Sequence, residues 1–540
     1  MRALAVAGLV AAAALPARAQ TTGAIAGRMT DRGAPLDGVR VVASGEALQG
    51  EASAVTDQAG EFVLSLLPPG RYALEVEKPG YVSFTLEDLA VHADEVLRVE
   101  HPLLPLAAAA AAQGATEKPA VSVPTTWTGG VISREQMELI PYGRDFRSFE
   151  GPVPSVPGVL RDFSMLGTPG PLARVDGASV AGARFLQNFV DEVSVQTGGY
   201  QAEYGGTSSG IIDVVTRSGG NDFHGSLFGS FLPGPRAAGD GGFDLGGPLQ
   251  RDRLWFYGGF APAAAGSQRE WNYVGKLSFR PAEDQSLSLS GFGDGGSAGS
   301  LRYLGKLFER SMDVEATAAW DQTEGAEGLL KLTNRFELAG HHQLRYGGEG
   351  TSSWGGAFAQ DTWSVVDAFF LEEGVRVEQR SGFTQVMPRI GASWDFTGRG
   401  QAKAYAFYGR FQHLDQALGG VQYQVLGDAV ASVEYAHTGK PYDTVMVALR
   451  KPFSQSYLLQ ASYAWPTAVK LDAAYVYEWT AKTSASAGVS FHAIRASPWD
   501  TQLAARAALT HALSPSYLLT GSLDVFSNPA DLRLGVRLSF

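Results

Sequence analysis

The sequence predicts a chain made almost entirely of β-structure that ends in a transmembrane antiparallel β-barrel. After the first residues, no window offers the long unbroken apolar run that a membrane helix needs. The mean hydropathy is near neutral, at -0.05. A membrane barrel has this value because apolar and polar residues alternate along each strand. Runs with this alternation and with terminal aromatics fill the second half of the chain.

Composition excludes several classes of function. A chain of 540 residues exceeds one compact domain, so several units are expected. The absence of cysteine excludes disulfides, thiolate metal sites and a thiol nucleophile. The net charge of -12 argues against general nucleic-acid binding, because no basic stripe is present to neutralise phosphates. An ordinary acidic soluble protein would carry a similar charge.

Residues 1–19 have the pattern of a secretory signal peptide. Arg2 gives the positive start, residues 3–15 form the apolar core, and Ala17 and Ala19 form an A-x-A cleavage site before Gln20. The alternative is an uncleaved anchor. The pattern predicts an exported protein.

Residues 20–105 predict a small β-sandwich. Short alternating runs at 24–29, 39–43, 61–66, 72–76 and 96–100 are separated by glycine and proline turns. The passages AGRMTDRGAPLDGVRV and TDQAGEFVLSLLPPGRYALEVEKPGY resemble the carboxypeptidase regulatory-like domain. His92 and His101 lack the H-x-x-E pairing of a zinc peptidase, so we interpret the segment as a structural or docking module.

Residues 196–225, QTGGYQAEYGGTSSGIIDVVTRSGGNDFHG, divide the chain. Glycine turns flank the β-branched run at 211–216, which predicts a strand between tight turns. The passage resembles the end of the plug domain in TonB-dependent outer-membrane receptors, especially the Oar-like subgroup. Arg217 stands where that family has lysine. The resemblance places the start of the barrel directly afterwards, at residues 223–540.

The same resemblance extends upstream and implies an internal α+β plug at residues 121–222, after a linker at 106–120. Ser133 begins a predicted helix. IPYGRDF at 140–146 and the VDG at 175–177 match family plug segments. The plug motif residues, with structural roles implied, are Arg144, Asp176, Gly177, Gly198, Gly199, Glu203, Tyr204, Gly205, Arg217 and Gly219. The charged members are candidates for contacts with the barrel; a solvated role is the alternative.

A short β-prone segment precedes the plug. Val121, Ser122 and Val123 are the candidate TonB-contact segment, which in the family adds as a strand to the energising protein. A plain linker or a first plug strand is the alternative for these residues.

Motifs of catalysis and metal binding are weak throughout. Two G-x-S-x-G matches, at 206–210 and 295–299, are followed by β-like or glycine-rich sequence and not by the helix of a nucleophile elbow. The adjacent His341 and His342 would face opposite sides of a strand, so they cannot form a two-histidine metal face. The sequence therefore predicts no cofactor, no metal site and no enzyme activity.

The last strand shows the barrel pattern most clearly. Leu534, Val536, Leu538 and Phe540 lie on one face, and polar or small residues lie on the other. Ending on Phe540 resembles the C-terminal signal of the outer-membrane assembly machinery; a strand that merely stops there is the alternative. Further barrel strands are predicted at 254–260, 286–292, 315–320, 457–465 and 469–479.

The resemblance implies a barrel of about 22 strands, and the length of the chain decides whether that number is feasible. Within the barrel, residues 242–260, 354–365, 387–398 and 457–466 also resemble family strands. About 22 strands of about 10 residues fit residues 223–540 if roughly 5 residues remain for each connection. The outer loops must then be short, and fewer strands are the alternative.

The resemblance implies a TonB-dependent receptor or transporter in the outer membrane of a Gram-negative bacterium, with a periplasmic N-terminal domain. Its implied partners are the periplasmic TonB complex, the assembly machinery, the lipid bilayer and an extracellular ligand that the sequence does not identify. The alternative is a non-transporting plugged barrel that acts as a surface or scaffold protein. An enzyme barrel is a more distant third reading, because no His, Ser and acid group stands out on one polar face.

Overall fold

The computed structural model describes residues 22–103 and 105, 126–139, 172–179, 187–205 and 210–540, with short gaps. The predictions for residues 1–19, for the linker at 106–120, for Val121, Ser122 and Val123 and for Arg144 lie outside the described residues. So do residues 206–209 and 295–296 of the two G-x-S-x-G matches. The short gaps are residues 32, 46, 49–50, 94–95, 233–237, 266–267, 283–284, 294–296, 308–311, 323–324, 338–340, 367, 381, 399, 412–414, 427–428, 438–442, 455–456, 466–467, 481, 495–499, 515–516 and 528–529.

The N-terminal domain is a sandwich of two four-stranded sheets. In the first sheet, β1 lies between β5, which is antiparallel to it, and β8, which is parallel, and β2 pairs with its end. The second sheet has the order β4-β3-β6-β7. The strands are β1 Gly23–Asp31, β2 Ala34–Pro35, β3 Arg40–Ser44, β4 Glu51–Val55, β5 Glu61–Leu67, β6 Gly70–Glu77, β7 Phe84–Val91 and β8 Val96–Pro102.

Alternation along these strands builds a separate hydrophobic core. Ile25, Val41 and Leu74 are fully buried between the two sheets, and Phe62 packs with them. The sequence did not predict β2, β4 and β7. Their small or mixed residues alternate weakly, so partner strands and not local pattern determine them.

The plug is a mixed five-stranded sheet with the order β11-β10-β13-β12-β9. Strands β10 and β13 are parallel, while β12 runs antiparallel to both of its neighbours. β13 covers the residues that the sequence predicted as the last plug strand, because β-branched side chains fit a sheet that is buried on both faces. The strands are β9 Thr128–Ser133, β10 Leu172–Val175, β11 Ala178–Ser179, β12 Val190–Gly198 and β13 Ile211–Thr216.

The helix predicted to begin at Ser133 is present and short. Helix α1 is Arg134–Leu139, and Ser133 and Gln136 exchange hydrogen bonds as in a capping box. None of the described helices is long and apolar enough to cross a membrane.

The barrel is a closed antiparallel sheet in which each strand pairs with the next, and the first pairs with the last. This confirms the predicted barrel of about 22 strands. The strands are β14 His224–Leu232, β15 Ala238–Gln250, β16 Leu254–Ala265, β17 Gln268–Ala282, β18 Gln285–Gly293, β19 Ser297–Leu307, β20 Met312–Asp321, β21 Gly325–Glu337, β22 His341–Thr351, β23 Trp354–Val366, β24 Phe369–Arg380, β25 Phe383–Trp394, β26 Ala402–Arg410, β27 Asp415–Leu426, β28 Ala429–His437, β29 Asp443–Ser454, β30 Tyr457–Trp465, β31 Ala468–Thr480, β32 Thr483–Ile494, β33 Asp500–Ser514, β34 Tyr517–Ser527 and β35 Ala530–Ser539.

The outer wall is apolar and the lumen is polar. In β24, Glu372, Arg376 and Glu378 are buried in the lumen, whereas Val375 and Val377 are exposed on the outside. The same holds for β35, where Leu534 and Val536 are 50% and 56% exposed. Such outward apolar residues need a hydrocarbon environment, so the barrel is of the membrane-spanning type.

The barrel has two distinct rims. The even-numbered strands, from β14 onward, begin at the rim where the chain enters and leaves the barrel, which we call the inner rim. The opposite end is the outer rim. Its connections are short: residues 233–237 join β14 to β15, and residues 266–267 join β16 to β17.

Candidate functional site

The polar surface between the plug and the barrel lumen is the candidate functional site. The plug strands β12 and β13 have almost every residue buried, including charged ones. Buried charges are costly unless they are paired or hydrogen bonded. Their partners therefore show how the barrel holds the plug.

The plug segment 199–205, together with the barrel side chains that hold it, forms what we call the clasp. At its start, the Gly199 N–H donates to Gln416 Oε1 at 3.1 Å. The Ala202 N–H donates to Gln360 Oε1 at 2.6 Å. Both glutamines lie on barrel strands, so the barrel wall satisfies plug backbone groups that no plug strand pairs.

Two buried arginines of the barrel complete the clasp through backbone carbonyls. Arg389 donates to the carbonyls of Tyr200 at 3.1 Å and Tyr204 at 2.7 Å, and its guanidinium lies 4.6 Å from the centre of the Phe411 ring. Arg376 donates to the Glu203 carbonyl at 3.1 Å. A guanidinium suits this role because it presents five donors in one plane.

The Glu203 carboxylate is bound by two barrel cations. Lys331 Nζ lies 2.9 Å from Oε2, and Arg345 Nη1 lies 3.4 Å from Oε1. All three side chains are nearly inaccessible to solvent. Behind them, Arg376 pairs with Glu349 and with Glu378, in the latter case at 2.6 Å.

Asp176 forms a second contact with the barrel. Its carboxylate accepts from the Thr216 N–H at 3.0 Å within the plug, from Lys276 Nζ at 3.2 Å and from Ser290 Oγ at 2.9 Å. The Asp176 carbonyl accepts from Ser300 Oγ at 3.1 Å. One plug turn therefore connects to three successive barrel strands, β17, β18 and β19.

Arg217 lies where the plug leads into the barrel wall. Its guanidinium pairs with Asp244 of β15 and lies 5.2 Å from the centre of the Tyr257 ring. Its backbone N–H donates to the Phe189 carbonyl at 2.9 Å. Arginine can make the ion pair and the ring contact together, which a lysine ammonium does with less geometric fit.

The plug motif glycines and Tyr204 are all buried in this interface. Gly199 has φ +67, a left-handed conformation that favours glycine. A Cβ on Gly205 would lie 2.0 Å from Glu378 Oε1 and 2.1 Å from Arg376 Nη2. Tyr204 packs edge to face on Tyr200 at 6.5 Å. The remaining motif glycines are Gly177 in the turn after Asp176, Gly198 beside Gln416, and Gly219 against the Phe256 carbonyl.

The start of the plug, at Thr126, is attached to the barrel as well. Thr126 donates to Glu372 Oε2 through its N–H at 3.0 Å and through Oγ1 at 2.6 Å. Thr126 is the first described residue after the candidate segment Val121, Ser122 and Val123. The barrel therefore binds the first described residue after that segment.

Phe540 lies at the seam that closes the barrel. Its backbone exchanges two hydrogen bonds with Gly225, at 2.7 and 3.0 Å. They extend the pairing of β14 with β35 by one residue. Its ring lies 6.1 Å from that of Tyr517.

Sequence reasoning missed the barrel half of the interface. The barrel residues that hold the clasp segment and Thr126 are Lys331, Arg345, Gln360, Glu372, Arg376, Arg389 and Gln416. A signal was available in β24, where Glu372, Arg376 and Glu378 recur with period two opposite Val375 and Val377. The pattern marks them as lumen residues, but only the fold shows which of them meet the plug.

The contacts between the plug and the barrel are hydrogen bonds, ion pairs and ring contacts. Among the described residues, no group of three or more His, Asp or Glu side chains could hold a metal ion. His341 and His342 do face opposite ways: His341 lies 3.5 Å from Glu61, and His342 pairs with Asp361.

Comparison with known proteins gives a family match and a curated relative. Residues 24–103 match the family model of the carboxypeptidase regulatory-like domain. The TonB-dependent transporter Oar of Myxococcus xanthus is 33% identical over 268 residues, which cover 42% of this chain and 25% of that protein. The chain thus spans about a quarter of the length of this curated relative.

Solved structures share the fold. The alcaligin outer-membrane receptor FauA of Bordetella pertussis aligns with a TM-score of 0.61 at 14% identity, over 79% of this chain and 98% of FauA. The siderophore receptor PirA of Acinetobacter baumannii gives 0.58 at 12% identity, over 76% and 98%. The chain is therefore related in sequence to Oar and has the plugged-barrel fold of outer-membrane siderophore receptors.

Proposed function

We propose that the chain is a TonB-dependent transporter, in which displacement of the plug opens a passage for a ligand across the outer membrane. The clasp carries this proposal. It holds the plug by hydrogen bonds and ion pairs from barrel side chains, and such contacts break and reform without any covalent change. A hydrogen bond to a buried charged group contributes about 1.5–3 kcal/mol. The clasp is therefore strong when all of its contacts are made, and its contacts can break one after another.

The work comes from outside the chain. The TonB complex, which couples to the inner-membrane proton gradient, pulls the segment around Val121, Ser122 and Val123. Strand addition suits this contact because it uses main-chain groups and tolerates varied sequence. The pull reaches the Thr126–Glu372 contact first and the clasp afterwards. No catalytic step is involved, consistent with relatives that are named as transporters and receptors.

The ligand is taken up at the lumen and not by long loops. Connections such as residues 266–267 cannot fold over a large ligand. The structural neighbours are receptors for siderophores, so iron–siderophore complexes are the first class to test.

Uptake of a panel of radiolabelled iron–siderophore complexes tests the proposal in cells that lack other such receptors. We expect at least one complex to accumulate, with accumulation lost on deletion of residues 120–124 and on collapse of the proton gradient. Uptake that persists after the deletion would reject the assigned TonB segment.

The second candidate is a plugged barrel that does not transport. The short outer connections favour it, because they leave little surface for ligand capture. A chain that shows no energy-dependent uptake of any complex, and whose deletion affects only envelope integrity, would support this second function.

A further inference from the structure

The N-terminal sandwich contacts both the plug and the inner rim of the barrel. The Arg280 guanidinium of β17 donates to the Glu51 carbonyl at 2.8 Å. Ser65 Oγ donates to Asp313 Oδ1 of β20 at 3.3 Å. Further along the rim, His341 of β22 lies 3.5 Å from Glu61, and the Arg98 guanidinium lies 4.9 Å from the centre of the Phe370 ring of β24. The contacts therefore follow one arc of the inner rim, from β17 to β24.

The plug is attached to the sandwich through Glu192 of β12. One carboxylate oxygen lies 2.8 Å from His92 Nδ1, and the other accepts from the Ala93 N–H at 3.1 Å. The Glu192 side chain is only 6% exposed. A carboxylate buried by a second domain loses its partners when that domain leaves, so movement of the plug and movement of the sandwich are coupled.

A cavity of about 50 Å³ separates the sandwich from the barrel wall. The sandwich side is formed by Thr22, Ser65, Leu66 and Val96 and their neighbours, and the barrel side includes Lys331 and Arg345. These two cations are the ones that bind Glu203 of the clasp. The cavity therefore adjoins the clasp, and residues of the sandwich line the side of the cavity opposite the barrel wall.

The sandwich reaches this cavity through a bulge in β5. Gly23 pairs with Leu67 and Ile25 with Leu64, so β5 has one extra residue at this point. Leu66 has φ +61, which is unusual for a residue with a branched side chain. The bulge directs Ser65 toward Asp313 while Leu64 and Leu67 remain in the sandwich core.

We infer that the sandwich is a second gate, on the periplasmic side. It closes the route that opens when the clasp releases the plug. This inference rests on the transport function proposed above. Passage requires two events: the clasp must release Glu203, and the sandwich must leave the rim between β17 and β24. The link through Glu192 makes the first event favour the second.

A reversible tether between the sandwich and the rim tests the gate in the full chain. The natural chain has no cysteine, so a pair introduced by Glu51→Cys and Arg280→Cys can be joined selectively by a short bis-methanethiosulfonate reagent. Glu203→Ala is added to loosen the clasp. The readout is the current carried by KCl through single proteins in planar lipid bilayers.

The matched control places the same tether within the sandwich. Arg40 and Glu77 are exposed, directly opposite each other on β3 and β6, and joined by an ion pair of 3.3 Å. Arg40→Cys with Glu77→Cys therefore gives a cross-link that leaves the sandwich free to move from the rim.

We expect the tether at Glu51 and Arg280 to form in most molecules and to lower the open fraction at least about tenfold, with full recovery on reduction. The control tether should have no effect. Failure of the pair to cross-link would show that the sandwich is not docked. Equal currents with and without the tether would overturn the gate alone and leave transport standing. No current in any protein, reduced ones included, would overturn the gate, because loosening the clasp would then open no route for the sandwich to close; the proposed transport, which needs the TonB complex, is tested separately by the uptake assay.

Discussion

At the scale of single residues, the barrel holds the plug through pairs of charged residues that lie far apart in the chain. No local sequence pattern shows which residues pair. Glu203 and Lys331 are 128 positions apart in the chain. The sequence marked Glu203, Asp176 and Arg217 as candidates, on the strength of a family resemblance. It could not identify their partners, because many lumen side chains share the same alternating pattern and only barrel closure decides which of them face the plug.

Replacing Glu203 by alanine should loosen the clasp. The change leaves Lys331 and Arg345 buried without their carboxylate, at a cost of about 3–5 kcal/mol. Hydrogen exchange of the β13 amides in the detergent-solubilised full chain measures this as faster opening. The double variant Glu203→Leu with Lys331→Met removes Glu203 and one of its two cations and should recover part of the protection, because Arg345 keeps its hydrogen bond to Gln201. Unchanged exchange in Glu203→Ala would contradict the role of the clasp.

Replacing Glu372 by alanine should free the start of the plug. Thr126 loses both of its hydrogen bonds, a change of about 1–3 kcal/mol confined to this end. Exchange of the β9 amides should accelerate while that of β13 stays slow. Glu373→Ala is the matched control, because Glu373 is adjacent but exposed on the outside of the same strand. Equal effects of the two substitutions would count against the contact.

At the scale of elements, close approach decides which glycines are needed. A Cβ at Gly205 would overlap Arg376 and Glu378, so Gly205→Ala should displace the clasp segment and cost about 1–3 kcal/mol. Gly275 of β17 has no neighbour within 4 Å of its Cβ position, so Gly275→Ala should be neutral. The two variants can be compared by the protection of segment 199–205. Similar protection in both would argue against tight packing there.

The contribution of His101 to the stability of the sandwich should decrease as the pH falls. Burial lowers the pKa of the His101 ring from its ordinary value, an effect that its hydrogen bond to the Pro102 carbonyl partly offsets. The ring also stacks on Phe84 at 4.1 Å. Because the folded state disfavours the charged ring, its contribution is full above the unfolded pKa and decreases as the pH falls toward the lowered folded value.

Hydrogen exchange of β7 and β8 in the full chain, followed between neutral and mildly acidic pH, measures this loss. His101→Phe keeps the stack and removes the titrating group, so its exchange should change less with pH. A pH dependence that is the same in His101→Phe and in the natural chain would assign it to another group.

At the scale of the whole molecule, the sequence predicted more of the fold than of the site. The barrel and the closing strand could be predicted because alternation with period two is a local signal, and the last plug strand could be predicted because a β-branched run between glycine turns is also a local signal. Strands β2, β4 and β7 could not, because β2 has two residues, β4 is rich in small residues, and β7 mixes apolar and charged residues without strict alternation. The docking of the sandwich against the rim could not be predicted either, because it depends on single contacts such as Ser65 with Asp313.

The central claim is that the plug is held in the barrel at rest and leaves its place when the cell is energised. Ser194 is buried in β12, 2% exposed, so a cysteine introduced by Ser194→Cys reports plug movement in a chain that has no other cysteine. The measurement is its labelling by a membrane-impermeant maleimide in cells that contain the TonB complex, with spent culture medium as the source of ligand. The account predicts labelling in energised cells, and none after collapse of the proton gradient or deletion of residues 120–124. Equal labelling under all three conditions would contradict it.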